Sequence, residues 1–219
     1  MDETHSDAAL IADDPVIARA LHDPLMSDPD LASRNEANAA ISFVDSNALP
    51  VIAASNADAQ AAREALRLEL LEAGAIPELP PAQERQGGKP LGPMSSATEL
   101  LAAVGAPATC AARLKEDFAL AATLPPVAAI PPLGMVVQAG GADAKDCRLR
   151  IIRYNTAAPI VDVLQYHFAR STRAGMKAQR YAVPGESIAA NGKGAERLAV
   201  HVRPALHGMT GVTLVYRAD

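Results

Sequence analysis

The residues best placed by type and spacing to do chemistry lie on one short stretch near the carboxy terminus. In Arg197 to Arg203, reading RLAVHVR, Leu198, Val200 and Val202 alternate with Ala199, His201 and Arg203. A period of two is that of a half-buried strand, so Arg197, His201 and Arg203 share the face turned away from the leucine and the valines. Two guanidinium groups flanking an imidazole are suited to holding an anion, and the imidazole can move a proton near neutral pH. One reading is therefore a hydrolase-like enzyme that acts on an anionic substrate through these three residues. The other is a charged outer strand face in a module that binds or braces without catalysis.

The remaining chemistry-bearing residues point to no reaction. His5 and His22 lie in an acidic arm, and His167 falls on an apolar helical stripe, where a core histidine is expected. His207 and Met209 have the spacing of a copper-binding pair, but one pair is too small a donor set for that metal. Gly185-Glu186-Ser187-Ile188-Ala189 lacks the last glycine of a nucleophile elbow and falls between two extended segments. Gly185 to Lys193 has the wrong spacing for a phosphate loop, with Gly194 where Ser or Thr is needed. Asp13, Asp14, Asp23, Asp28 and Asp30 are interrupted by prolines, a pattern of helix caps rather than of a calcium loop. Tyr154, Tyr181 and Tyr216 sit among arginines, yet the chain carries a net charge of -5 and lacks the glycine-aromatic signature of RNA-binding sheets. They are expected as core tyrosines with polar tips. No cofactor, metal or nucleic acid is expected.

These side chains must be positioned by a domain built from small residues. The chain has 219 residues, of which 47 are alanine, 3 are Phe, 4 are Tyr and none is Trp. No run approaches the ~18 apolar residues that cross a bilayer as a helix. Residues 1–75 are expected as a helical arm. Asp14-Pro15, Asp23-Pro24 and Asp28-Pro29 start short helices, Ile41-Phe43-Val44 and Pro50-Val51-Ile52 are small apolar clusters, and a longer helix runs from Ser55, its cap, to Gly74. Ile76 to Ser95 holds 5 Pro and 3 Gly in 20 residues and is expected as a linker.

Residues 96–219 are expected as an α+β domain. A helix through Leu100, Leu101 and Val104 opens it, and Ala111 to Leu124 favours another. Met135 to Ala139 is a strand, with Gly140-Gly141 turning the chain. Arg148 to Tyr154 sets Leu149 and Ile151 on one side and Ile152 and Tyr154 on the other, as in a strand covered on both faces. The main helix starts at Pro159 and places Ile160, Val163, Leu164, His167 and Phe168 on one face, with Asp162 in its first turn and Arg170 and Arg173 in its last. The fold class is α+β: one main helix on a mostly antiparallel sheet, in the order strand-helix-strand-strand-strand, with a further strand ahead of it and the helical arm before that.

Charge divides the chain. Residues 1–95 carry 16 acidic and 6 basic side chains, whereas residues 96–219 carry 9 acidic and 14 basic. An acidic arm meeting a basic domain, or a second copy of it, follows naturally from such a split. Cys110 and Cys147 are 37 positions apart. In a cytosolic protein they would be buried thiols, and in an exported one a disulfide. The chain opens Met1-Asp2-Glu3-Thr4-His5, with no basic or apolar leader.

The segment ALHDPLMSDPDLASRNEANAA, Ala20 to Ala40, resembles the start of the mature part of bacterial exported proteins of unknown function, often lipoproteins. Cys147-Arg148-Leu149-Arg150-Ile151-Ile152 and the helix PIVDVLQYHFARSTRAGM are similar to their carboxy-terminal module, in which a cysteine ahead of the strand pairs with an earlier one. Those proteins carry aromatic residues after the first cysteine, where this chain has Phe118 alone. The resemblance implies a Cys110–Cys147 bridge, a periplasmic or outer-membrane-associated location and membrane attachment through a lost lipid-bearing cysteine, and it transfers no catalytic residue. The function expected is an exported, envelope-associated, non-catalytic binding or structural module, with another envelope protein or a second copy as partner. The alternatives are the hydrolase above and a cytoplasmic location.

Overall fold

The structure is a computed structural model and describes residues 53–84 and 88–218. The short Asp-Pro helices, the apolar clusters at 41–44 and 50–52, and the docking expected of residues 1–52 lie outside these residues.

Helix α1, Asn56–Glu72, begins at a capping box in which the Ser55 hydroxyl accepts from the Asp58 amide and the Asp58 carboxylate accepts from the Ser55 amide. Its Ala62, Leu66 and Leu70 recur every fourth residue and are buried. After a two-residue strand β1, Gln83–Glu84, helix α2, Ala97–Ala103, opens on a second capping box at Ser96 and Glu99. Short 3₁₀ turns at Ala108–Arg113 and Phe118–Thr123 flank strand β2, Lys115–Glu116. Strands β3, Met135–Ala144, and β4, Cys147–Thr156, precede the main helix α3, Ile160–Arg173. Strands β5, Lys177–Val183, β6, Ser187–Asn191, β7, Arg197–Pro204, and β8, Thr210–Arg217, complete the chain.

The eight strands form one sheet in the order β1-β5-β6-β7-β8-β4-β3-β2, antiparallel throughout except for the β1–β5 pair. The class is α+β. Four strands follow α3 where three were expected, because both arms of the Pro184-Gly185 turn are strands. Two local expectations are corrected. The stretch from Ala111 to Leu124 is not a helix: Lys115 and Glu116 pair with Gly141 and Gly140, and the Asp117 carboxylate accepts from the Ala119 amide, so sheet pairing and a local cap win over helix propensity. Gly140-Gly141 does not turn the chain but lies inside β3, where a Cβ at Gly141 would stand 2.1 Å from the Leu149 carbonyl oxygen. The glycine is there for close approach of two backbones.

Both faces of the sheet are covered. Ile152, Tyr154, Ile188, Leu198, Val200 and Leu214 pack under α3 and α1. Leu149, Ile151, Ala199 and Val215 pack under α2, Leu91 and Leu114. The β4 alternation read from sequence therefore serves two cores, and Leu149 belongs to the second. On α3, Val163 and Leu164 are fully buried, Ile160 and Phe168 partly, and Tyr166 is buried as well because α1 lies alongside.

The stretch 76–95, expected as a linker, packs against the domain. Ile76 and Leu79 meet the α1–α3 core, Gln83 and Glu84 pair with β5, and Leu91 is buried. Prolines offer no amide for a ladder, but their carbonyls still need donors, and side chains supply them: Gln165 donates to Pro77 and Arg153 to Gly92 and Pro93.

Candidate functional site

Strand β7 presents Arg197, His201 and Arg203 on the face opposite Leu198, Val200 and Val202, and that face is the one under α2. It does not bring the three together. At ~3.3 Å per residue, Arg197 stands about 13 Å from His201 and about 20 Å from Arg203 along the strand. Its Nη1 donates to the carbonyls of Gly194 and Glu196, so Arg197 closes the β6–β7 turn.

His201 and Arg203 share a cleft of about 380 Å³ with Glu186, under the strap formed by Pro90, Leu91 and Gly92. The Leu91 amide donates to His201 Nδ1 at 3.2 Å. That bond places the proton of the neutral ring on Nε2. Arg203 Nη1 donates to the Pro204 carbonyl at 3.1 Å. Its side chain runs between the backbones of Gly92 and Gly211, where added Cβ atoms would lie 3.8 Å from Nε and 3.4 Å from Cζ. Glu186 pairs with Arg180, Oε2 to Nη2 at 3.2 Å, and its backbone carbonyl accepts from the Val202 amide.

The strap is held by a residue that sequence reading passed over. Arg153, 5% exposed, donates through Nη2 to Gly92 O and through Nη1 to Pro93 O, both at 2.7 Å. The Gly92 amide donates in turn to Ser95 Oγ at 2.9 Å. The available signal was an arginine between Ile152 and Tyr154 in a strand covered on both faces, since a charge in that position must be hydrogen-bonded.

The Tyr154–His167 pair lies fully inside the core and opens to no cleft named above. The Tyr154 hydroxyl and His167 Nε2 are 2.6 Å apart, and the Tyr166 ring meets His167 edge-on. Burial, with a smaller effect from nearby Arg170, pushes the His167 pKa down to about 3, and burial holds the Tyr154 phenol well above its usual range. Tyr166 donates to Glu69 at 2.7 Å, and Tyr216, raised to about 12 by burial and by its bond to Glu196, donates at 2.8 Å. These are anchored core tyrosines. Tyr181 bonds Gln179 and is partly exposed, so the three strand tyrosines make no common stacking surface.

Cys110 and Cys147 form a disulfide with Cα atoms 5.6 Å apart. It ties the 3₁₀ turn beside α2 to the first residue of β4, and so fastens the second cover to the sheet. His207 is exposed and Met209 is buried. Among the described residues no group of three or more His, Cys, Asp or Glu could hold a metal ion, and no helix is long and apolar enough to cross a membrane. Comparison with protein-family models, curated proteins and solved structures finds no match.

Proposed function

We propose that the protein is an exported module of the bacterial cell envelope that binds or braces and does not catalyse, with another envelope protein or a second copy of itself as partner. The observation that carries this reading is the Cys110–Cys147 disulfide. Such bonds persist in oxidising compartments and are kept reduced in most cytosols. Its position supports a bracing role, because it fastens α2 and its neighbouring turn over Leu149, Ile151 and Val215. Two of the histidines are engaged elsewhere: His167 in the core and His201 with the strap. Trapping thiols with a high-mass maleimide in cells that make the protein tests the reading. No label before reduction and two after it are expected. Two labels without reductant would overturn export.

The hydrolase reading retains one observation in its favour, the convergence of His201, Arg203 and Glu186 on one cleft. It expects turnover of an anionic ester that His201→Gln abolishes.

A further inference from the structure

Helix α1 carries two apolar stripes. Ala62, Leu66 and Leu70 are buried in the core shared with α3. On the opposite side Ala57, Ala61, Leu68 and Leu71 are exposed, Leu68 by 60% and Leu71 by 57%. With Glu64 they recur at spacings of four, three, four and three, which is the seam of a helix that packs on another helix. At ~1.5 Å per residue, the 17 residues of α1 make that seam about 25 Å long. Arg63 on its flank pairs with Asp162 at 2.9 Å and so fixes how α1 sits on the first turn of α3. Glu64 accepts from the neutral amide of Gln60 at 2.9 Å, which leaves its charge uncompensated. Arg67, beside the seam, is exposed and in no ion pair among the described residues.

We propose that this face pairs with the same face of a second copy, α1 against α1 in antiparallel order about a two-fold axis beside Glu64 and Leu68. Residue sizes set the orientation. In antiparallel order Leu71 meets the partner's Ala61, and Leu68 meets the stem of the partner's Glu64, so each leucine faces a small or bendable side chain. The charges agree. Glu64 of each copy comes beside the partner's Arg67, and the axis makes that ion pair twice. In parallel order Glu64 would face the partner's Glu64 across the seam, two like charges where water is scarcest. A face that carries large and small residues and both signs of charge in this order is complementary to itself, as a two-fold interface must be. The proposal rests on the binding-module reading and deepens it by choosing the second copy as partner. Export is read by the thiol assay alone, so failure of one leaves the other standing.

The test is sedimentation velocity of the full chain over a concentration series, in which a concentration-dependent dimer is expected. Leu68→Lys combined with Leu71→Lys is expected to raise the dimer Kd about a hundredfold, because each leucine is lost from both copies. Both side chains are on the water side of α1, and thermal melts show that the variant is folded. Glu64→Arg and Arg67→Glu each set like charges together at two symmetric places and are expected to weaken the dimer about tenfold. The two reversals combined restore the ion pair. That variant is expected to self-associate like the parent and, carrying a fluorescent label, not to mix with it. Antiparallel order alone predicts the rescue, because parallel order would set residue 67 against the partner's Glu72. A single-chain mass up to about 1 mM, where even weak specific contacts are populated, would overturn the proposal and give the face to a different protein. A dimer unchanged in the folded double-lysine variant would overturn it by placing the contact elsewhere. Single reversals that weaken the dimer without rescue by the pair would overturn the antiparallel order.

Discussion

The hydroxyl of Tyr154 on β4 lies 2.6 Å from Nε2 of His167 on α3, and neither side chain reaches solvent. This bond joins the central sheet to the main helix through two groups whose uncharged forms the core demands. His167 accepts a proton near pH 6.5 in the unfolded chain and only near 3 in the folded one. The stability it supports is therefore complete above about pH 6.5 and is lost as the pH falls toward 3, by up to about 1.4 kcal/mol per pH unit. Urea midpoints of the protein should decline through this window, and those of His167→Gln should decline less. Parallel curves would show that another group titrates. Tyr154→Phe should cost about 1–3 kcal/mol at pH 7, since it leaves His167 Nε2 buried without its partner.

Arg173 caps a helix other than its own. From the end of α3 its Nη2 reaches the carbonyls of Leu70, Gly74 and Ala75 at 2.9, 3.0 and 2.9 Å, neutralising the carboxy-terminal end of α1. Arg173→Leu should destabilise the protein by about 1–3 kcal/mol and speed hydrogen exchange in the last turn of α1 before other helices. Uniform exchange across α1 and α3 would mean that the contact holds nothing locally.

The disulfide closes a loop between positions 37 apart. In the chain-entropy account its removal costs roughly 4 kcal/mol. The paired substitution Cys110→Ser with Cys147→Ser should lower the urea midpoint accordingly and loosen α2, Leu91 and Leu114 before the α3 side of the sheet. Unchanged stability would remove its bracing role.

Gly141 faces the Leu149 carbonyl so closely that a Cβ would sit 2.1 Å from its oxygen. Gly141→Ala must part β3 from β4 or shift their register, at a cost of about 3 kcal/mol. A melting temperature equal to that of the parent would show that the strands yield without penalty.

Local physics was readable along the chain. Ser55 with Asp58 announces a helix start because a hydroxyl and a carboxylate three residues apart satisfy each other's backbone amides, and the structure has that box. The alternation from Arg148 to Tyr154 fixes which side chains share a face, whatever lies above them, and it assigned Leu149 and Ile151 to one side and Ile152 and Tyr154 to the other. The same period correctly put Arg197, His201 and Arg203 on one face of β7.

A period states a face and not a neighbourhood. Arg197 is separated from His201 and Arg203 by distance along the strand and by the turn it closes, while the cleft around the other two is made by a strap more than a hundred positions earlier. That strap reads as a linker because proline and glycine suppress every local pattern; Arg153, on another strand, is what holds its carbonyls. Gly141 reads as a turn because its use, room for the Leu149 carbonyl, depends on a partner strand. Residue type and spacing act over a few positions and so determined helices, faces and caps. Long-range packing decided which groups meet, because hydrogen-bond partners for buried carbonyls and charges are found in space and not along the chain.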